Sequence, residues 1–140
     1  MNSWPIDALQ MGDVYVADGF GKVLNGTLIG DNLGNAIFAN SGNGVVFNAS
    51  SRDMEGLSRI EGFNAFVRGF DPSFLTESML MGISVAIRIG RATVFPGDVV
   101  IAKPTGVLFM DFDYALNGFR SGPNYVAVHR SHIDLINRLK

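Results

Sequence analysis

The chain has 140 residues, a net charge of −2 and 11 scattered Lys and Arg, which excludes the basic face of a nucleic-acid binder. It has no cysteine, so disulfides, thiolate zinc sites and cysteine nucleophiles are excluded. Its apolar runs fall far short of the ~20 residues of a membrane-spanning helix, which predicts no membrane partner. The length fits a single domain that buries roughly 70% of its unfolded surface. A hydrophobic share of 47% beside a charged share of only 17%, with 11 Phe, points to surface hidden in a homo-oligomer. The first seven residues lack a basic segment followed by an apolar run, so no secretory signal is visible and a cytoplasmic location is expected.

Glycine punctuates the chain, 17 times in all. Residues 14–18 predict a strand after the turn Met11-Gly12-Asp13, and 19–30 predict a glycine-rich loop with room for a short hairpin. Residues 32–41 predict a helix, with Asp31 as N-cap and Leu33, Ala36, Ile37 and Asn40 on one side; Gly42 and Gly44 stop it. A short buried strand over 45–47 precedes a polar loop over 48–53. A short helix over 54–60 and a strand over 65–68 follow. Asp71-Pro72 has the form of a cap with Pro at the first helical position, which predicts a helical turn reaching Leu80. Strands are expected at 85–89, 92–95, 99–102 and 107–110, divided by Gly90, Pro96-Gly97 and Pro104-Thr105-Gly106. Beyond Met110 the apolar spacing thins, and Ser131 opens a terminal helix with Ile133, Ile136 and Leu139 on one stripe. The fold class is α/β.

Strand, helix and strand over the first 47 residues define a β-α-β unit if the two strands run parallel. The helix start at Asp31-Asn32 and the loop Ser50 to Asp53 then share the sheet edge past the carboxyl ends of the strands, where open α/β sheets bind ligands. Gly30 lets a ligand approach the backbone. The first-turn amides of Asn32 and Leu33 lack helical partners and favour an anion. Arg52 offers a planar fork for a carboxylate or enolate oxygen. Asp31 and Asp53 are hard oxygen ligands suited to Mg²⁺ or Mn²⁺, and a cation bridging Asp53 to a chelating 2-oxo acid would complete the set. The plainer reading makes Asp31 an N-cap and Arg52-Asp53 a solvated loop pair; spacing alone leaves both open.

Gly30-Asp31-Asn32-Leu33, Ser51-Arg52-Asp53, Phe66-Val67-Arg68-Gly69 and Pro96-Gly97-Asp98, in this order and at these separations, resemble the RraA-like family. That family includes 4-hydroxy-4-methyl-2-oxoglutarate aldolases and regulators of ribonuclease E activity, and some members have been labelled dimethylmenaquinone methyltransferases. The likeness runs from about Leu9 to Met110, which divides the chain into a family-like domain over 1–112 and a divergent tail over 113–140. The resemblance implies a three-layer β/β/α swivelling domain, a trimer or hexamer, and an active site between subunits. It implies that Gly30, Asp31, Asn32 and Leu33 hold the substrate carboxylate, that Arg52 contacts the keto or enolate oxygen, and that Asp53 holds Mg²⁺. The aldolase branch carries both residues of the Arg-Asp pair, whereas the regulators often lack the aspartate. The family's region before the segment matching Leu9 is expected to be missing here, and with it part of the pocket wall. The family's acidic C-terminal residue, which serves a neighbouring site, has no clear counterpart after Met110.

The leading expectation is a Mg²⁺-dependent pyruvate aldolase-type lyase acting on a 4-hydroxy-2-oxo acid or decarboxylating oxaloacetate, with Arg52 steadying the enolate and Asp31 positioning a water for proton transfer. The alternatives are a non-catalytic regulator of the ribonuclease type and an inactive truncated family member. His129 and His132 have metal-ligand spacing but no third ligand nearby, so a polar helix entrance is the simpler reading. Gly19-Phe20-Gly21 lacks the remainder of a nucleotide-loop pattern.

Overall fold

The computed structural model describes residues 3–73, 75 and 78–121. The chain forms two units, one running to Thr93 and the other beginning at Val94. In the first unit, helix α1 (Ser3–Asp7) precedes strand β1 (Tyr15–Thr27), helix α2 (Asp31–Ser41) and strand β2 (Val45–Ser51). β1 and β2 are parallel, as the strand-helix-strand spacing predicts, with Tyr15 opposite Val45 and Asp18 opposite Asn48. The other edge of β2 takes two short strands, β3 (Ala65–Phe66) and β4 (Gly69–Phe70), both parallel to it. The short helix α3 (Met54–Ser58) connects β2 to them.

β1 is longer than the sequence suggests, and the reason lies in its glycines. After Asp18 the pairing jumps to Lys22 opposite Ala49, and then to Thr27 opposite Ser50. Residues 19–21 and 23–26 are thus extruded from the ladder as two bulges. Phe20, Gly21 and Asn25 take positive φ values of 59°, 73° and 53°. The Asp18 carboxylate accepts the Phe20 N–H at 2.8 Å and stabilises the first bulge. The expected loop is therefore real in its conformation, but the strand resumes beyond it and delivers Thr27 to the sheet.

β2 also exceeds its expected length. The polar residues Asn48 to Ser51 predict a loop, yet the strand runs through them. Ala49, Ser50 and Ser51 are fully buried. A central parallel strand covered on both faces tolerates serine only where each hydroxyl finds a partner. Here Ser50 Oγ donates to the Val23 carbonyl at 2.7 Å and Ser51 Oγ to the Ile29 carbonyl at 2.9 Å.

The core of this unit gathers Ile6, Ile29, Ile37, Val45, Phe47, Ala49, Leu57 and Phe63. Alternate residues of β2 supply three of these, as a period of two requires. α2 buries Gly34, Ile37 and Ser41 along one stripe. Asn40, expected on that side, is exposed; its side chain instead donates to the Ile6 carbonyl at 2.9 Å and fastens α2 to α1. Gly42 ends the helix at φ 69° and returns its N–H to the Phe38 carbonyl, as expected of a left-handed terminator.

Three further expectations change. The strand expected over 65–68 is interrupted and becomes β3 and β4. No helical turn follows Pro72 among the described residues; Asp71 is engaged elsewhere. β5 (Ile87–Ile89) and β6 (Ala92–Val94) pair across Gly90, which sits at φ 61°. In the second unit β7 (Val99–Lys103) and β8 (Gly106–Met110) form an antiparallel pair with Val99 opposite Met110. Helix α4 (Phe112–Ser121) follows where no helix is expected. Asp111 caps it, its carboxylate accepting the Tyr114 N–H at 2.9 Å. The predicted helix from Ser131, with His129 and His132, lies outside the described residues.

Candidate functional site

The site residues meet at the carboxyl ends of β1 and β2. The Leu28 N–H donates to the Ser50 carbonyl, and the Arg52 N–H to the Ile29 carbonyl, each at 3.0 Å. These bonds extend the β1–β2 contact past the regular ladder and bring Gly30 beside Arg52-Asp53. A Cβ added to Gly30 would collide with Asp53 Oδ2 and stand 3.0 Å from Arg52 Nε. Gly30 is thus the floor beneath both side chains, and any larger residue there displaces them.

Gly30 is also the N-cap of α2, the place expected for Asp31. Asp31 is the first helical residue. Its carboxylate accepts the N–H of Asn32 at 2.7 Å, so that amide is not the open donor expected from the helix start. The N–H groups of Asp31 and Leu33 find no acceptor among the described residues and remain as first-turn donors. Asn32 is exposed, and Leu33 packs partly into the core.

α3 locks this arrangement from the side. A Cβ on Gly56 would lie 2.6 Å from the Asp31 carboxylate oxygen, and one on Gly34 would collide with Leu57 Cδ2. The absence of side chains at Gly34 and Gly56 lets α2 and α3 touch, with Asp31 against the start of α3. Asp53 precedes α3 in the left-handed conformation, at φ 55° and ψ 45°, and its carbonyl accepts the Leu57 N–H at 2.9 Å. For a residue with a Cβ this geometry costs about 1–2 kcal/mol. Strained backbone of this kind concentrates at functional positions.

Arg52 and Asp53 form a loose pair, Nε to Oδ2 at 3.4 Å, with side chains 39% and 46% exposed. A pair so exposed contributes little stability, about 0–1 kcal/mol. The Asp53 carboxylate makes no capping bond to α3, which leaves it oxygens for a cation. No group of three or more His, Cys, Asp or Glu ligands occurs among the described residues. A cation at Asp53 would therefore take most of its ligands from water or a bound oxo-acid, the manner of Mg²⁺. The residues fit that ion.

One group escapes a reading of the sequence. Asp71 lies at the same edge, its N–H donating to the Ser51 carbonyl at 2.9 Å. Its carboxylate accepts the hydroxyl of Ser73 and, at 3.0 Å, the N–H of Asn25. The Ser73 hydrogen bond, with help from Asn25, holds the Asp71 carboxyl below the usual carboxylate range against some desolvation. The Ser73 carbonyl in turn accepts Arg52 Nη1 at 3.3 Å. The local signal, Asp71-Pro72, mimics a helix cap; besides Ser73, two residues on, the carboxylate is met by the Asn25 N–H from 46 residues away.

The family model described as Aldolase/RraA matches residues 4–109. A protein of Photobacterium profundum that bears the provisional name 4-hydroxy-4-methyl-2-oxoglutarate aldolase is 30% identical over an alignment of 105 residues that covers 69% of this chain and 63% of that protein. The chain thus spans under two thirds of this relative's length. Among solved structures, the RNA-processing inhibitor RraA from Thermus thermophilus superposes with a TM-score of 0.68 at 23% identity, over 75% of this chain and 63% of its own. An unusual member of the RNase ES inhibitor RraA protein family from Streptomyces coelicolor superposes with a TM-score of 0.73 at 24% identity, over 96% of this chain and 65% of its own. These two likenesses establish an RraA-type α/β fold. With the Gly30–Leu33 turn and the Arg52-Asp53 pair converging on one edge of that fold, the chain belongs to the Aldolase/RraA family.

Proposed function

We propose that the chain is a Mg²⁺-dependent lyase of the pyruvate aldolase type, cleaving a 4-hydroxy-2-oxo acid or decarboxylating oxaloacetate. The observation that carries this reading is Gly30, whose bare α-carbon lies under both Arg52 and Asp53. An arginine fork and a loosely paired carboxylate over an open helix start suit a small, doubly oxygenated anion. The amides of Asp31 and Leu33 receive the substrate carboxylate. Arg52 donates to the oxo oxygen and gains strength as negative charge collects there. Asp53 is the ligand for Mg²⁺, which when bound acts as a Lewis acid toward the oxo-acid. Asp31, held beside the start of α3, places a water for proton transfer.

A homotrimer or hexamer is part of the same proposal, since Met79, Met81, Ile83 and Val85 are all exposed. No helix among the described residues is long and apolar enough to cross a membrane. The deciding experiment measures pyruvate release from 4-hydroxy-4-methyl-2-oxoglutarate and from oxaloacetate, with Mg²⁺ and with chelator. Release only with Mg²⁺ is expected. Metal-dependent oxalate binding without any release would replace the lyase with a binding protein of the regulator type.

A further inference from the structure

The guanidinium of Arg52 has to be aimed for the site to work, yet its pairing with Asp53 is loose and exposed. Its other side-chain hydrogen bond among the described residues is to the Ser73 carbonyl. Ser73 itself has neither helix nor strand geometry, so its position rests on the hydrogen bonds it makes. Those bonds converge on Asp71. The Ser73 hydroxyl donates to Asp71 Oδ2, the same oxygen that accepts the Asn25 N–H. Thr27 Oγ1, buried beneath, donates to the Asp71 carbonyl at 2.7 Å, and the Asp71 N–H donates to the Ser51 carbonyl at 2.9 Å. Asp71 is therefore pinned at its N–H, its carbonyl and its carboxylate, to both β1 and β2.

We propose that Asp71 is the positioning residue for Arg52: it fixes Ser73, whose carbonyl holds Nη1 and leaves the remaining donors of the fork for a ligand. The second bulge of β1, which presents the Asn25 N–H, is part of the same brace. The effect on ligand affinity rests on Arg52 contacting the oxo-acid, as proposed above; the ordering of Arg52 does not.

Two measurements on the full chain test this separately. In the first, the Arg52 Nε–H order parameter is measured by NMR in the wild type, Asp71→Ala, Asp71→Asn and Ser73→Ala. Arg52 is expected to be ordered in the wild type and markedly looser in Asp71→Ala and Ser73→Ala, with Asp71→Asn between, because its amide oxygen still accepts one bond. Backbone amides of α2 should not change. An Arg52 equally ordered in all four proteins, or a loosening that spreads through α2, overturns the proposal. In the second, calorimetry measures oxalate binding with Mg²⁺ present. Asp71→Ala is expected to weaken oxalate about five- to tenfold, the scale of one hydrogen bond, with Mg²⁺ affinity unchanged. In an Arg52→Lys background the same substitution should add no loss. Equal losses in both backgrounds would mean a general structural role and overturn the proposal. A wild type that binds no oxalate overturns the oxo-acid reading instead, and the order parameter still decides the role of Asp71.

Discussion

The edge of the β1–β2 sheet contains two layers of polar residues built to opposite rules. The floor, Thr27, Ser50 and Ser51, is buried, and each hydroxyl has a partner within the protein. The rim, Arg52 and Asp53, is exposed and loosely paired, with Asp53 on a left-handed backbone. The difference separates hydroxyls satisfied within the fold from side chains left open just past the end of β2. Serines satisfied inside the sheet fix where the chain emerges. The next two residues are left with unused donors and acceptors, as a ligand site requires.

The comparison breaks if a floor substitution spares stability or a rim substitution ruins it. The largest effect belongs to the apolar support beneath the floor. Ile37 is fully buried in the core against β2, so Ile37→Ala should cost about 2–5 kcal/mol in urea unfolding. Next comes the rim. Arg52→Lys keeps the charge but loses the planar fork, and should cost about 1.5–3 kcal/mol of oxalate affinity, roughly ten- to a hundredfold. Its Mg²⁺ affinity and its unfolding midpoint should hardly move. Asp53→Asn should abolish metal-dependent oxalate binding in the same calorimetric experiment. Unchanged oxalate binding by both variants would reduce Arg52-Asp53 to a surface loop pair.

Ser51→Ala sharpens the contrast from the floor side. It removes one of the two donors to the Ile29 carbonyl, which keeps the Arg52 N–H, a loss of about 0.5–1.5 kcal/mol in unfolding free energy. Asp53→Gly should do the reverse. Glycine relieves the left-handed strain, so the melting temperature should stay level or rise while metal-dependent binding disappears. A melting temperature several degrees lower would show that Asp53 serves the fold rather than the site.

How much of this is legible in the sequence follows from the range of the interactions. The β-α-β unit is readable because β-branched runs, a helical stripe and Gly42 are local signals. The meeting of Gly30 with Arg52-Asp53 follows from that unit's geometry. Asn48 to Ser51 misleads because its composition is that of a loop, and only the partners across the sheet make it a buried strand. The N-cap moves by one residue, from Asp31 to Gly30, because Asp31 is drawn toward the start of α3 by Gly56. α4 escapes although Asp111 stands three residues before Tyr114, a capping signal lost among sparse apolar residues. Asp71 is beyond reach. The Asp71-Pro72 pair favours a helix start, and beside the Ser73 bond it is the bulge at Asn25 and the floor at Thr27 and Ser51 that overrule it.

The smallest expected effect concerns pH and joins floor to rim through Asp71. Its carboxyl is held below the ordinary value of 3.8, chiefly by the Ser73 hydroxyl and then by the Asn25 N–H, with desolvation opposing. The folded state thus prefers the ionised form more than the unfolded state does. The resulting stability is fully present above the unfolded value and disappears as pH falls through the lower folded value. Asp71→Asn removes the titration while keeping an acceptor. The stability gap between wild type and Asp71→Asn should therefore be flat from about pH 5 upward and narrow below about pH 4. Urea midpoints of the two proteins across that range measure it directly. A gap that stays constant down to about pH 2 would mean that the Asp71 carboxylate is not held by Ser73 and Asn25 in solution, and the brace under Arg52 would have to be sought in the backbone bonds of Asp71 alone.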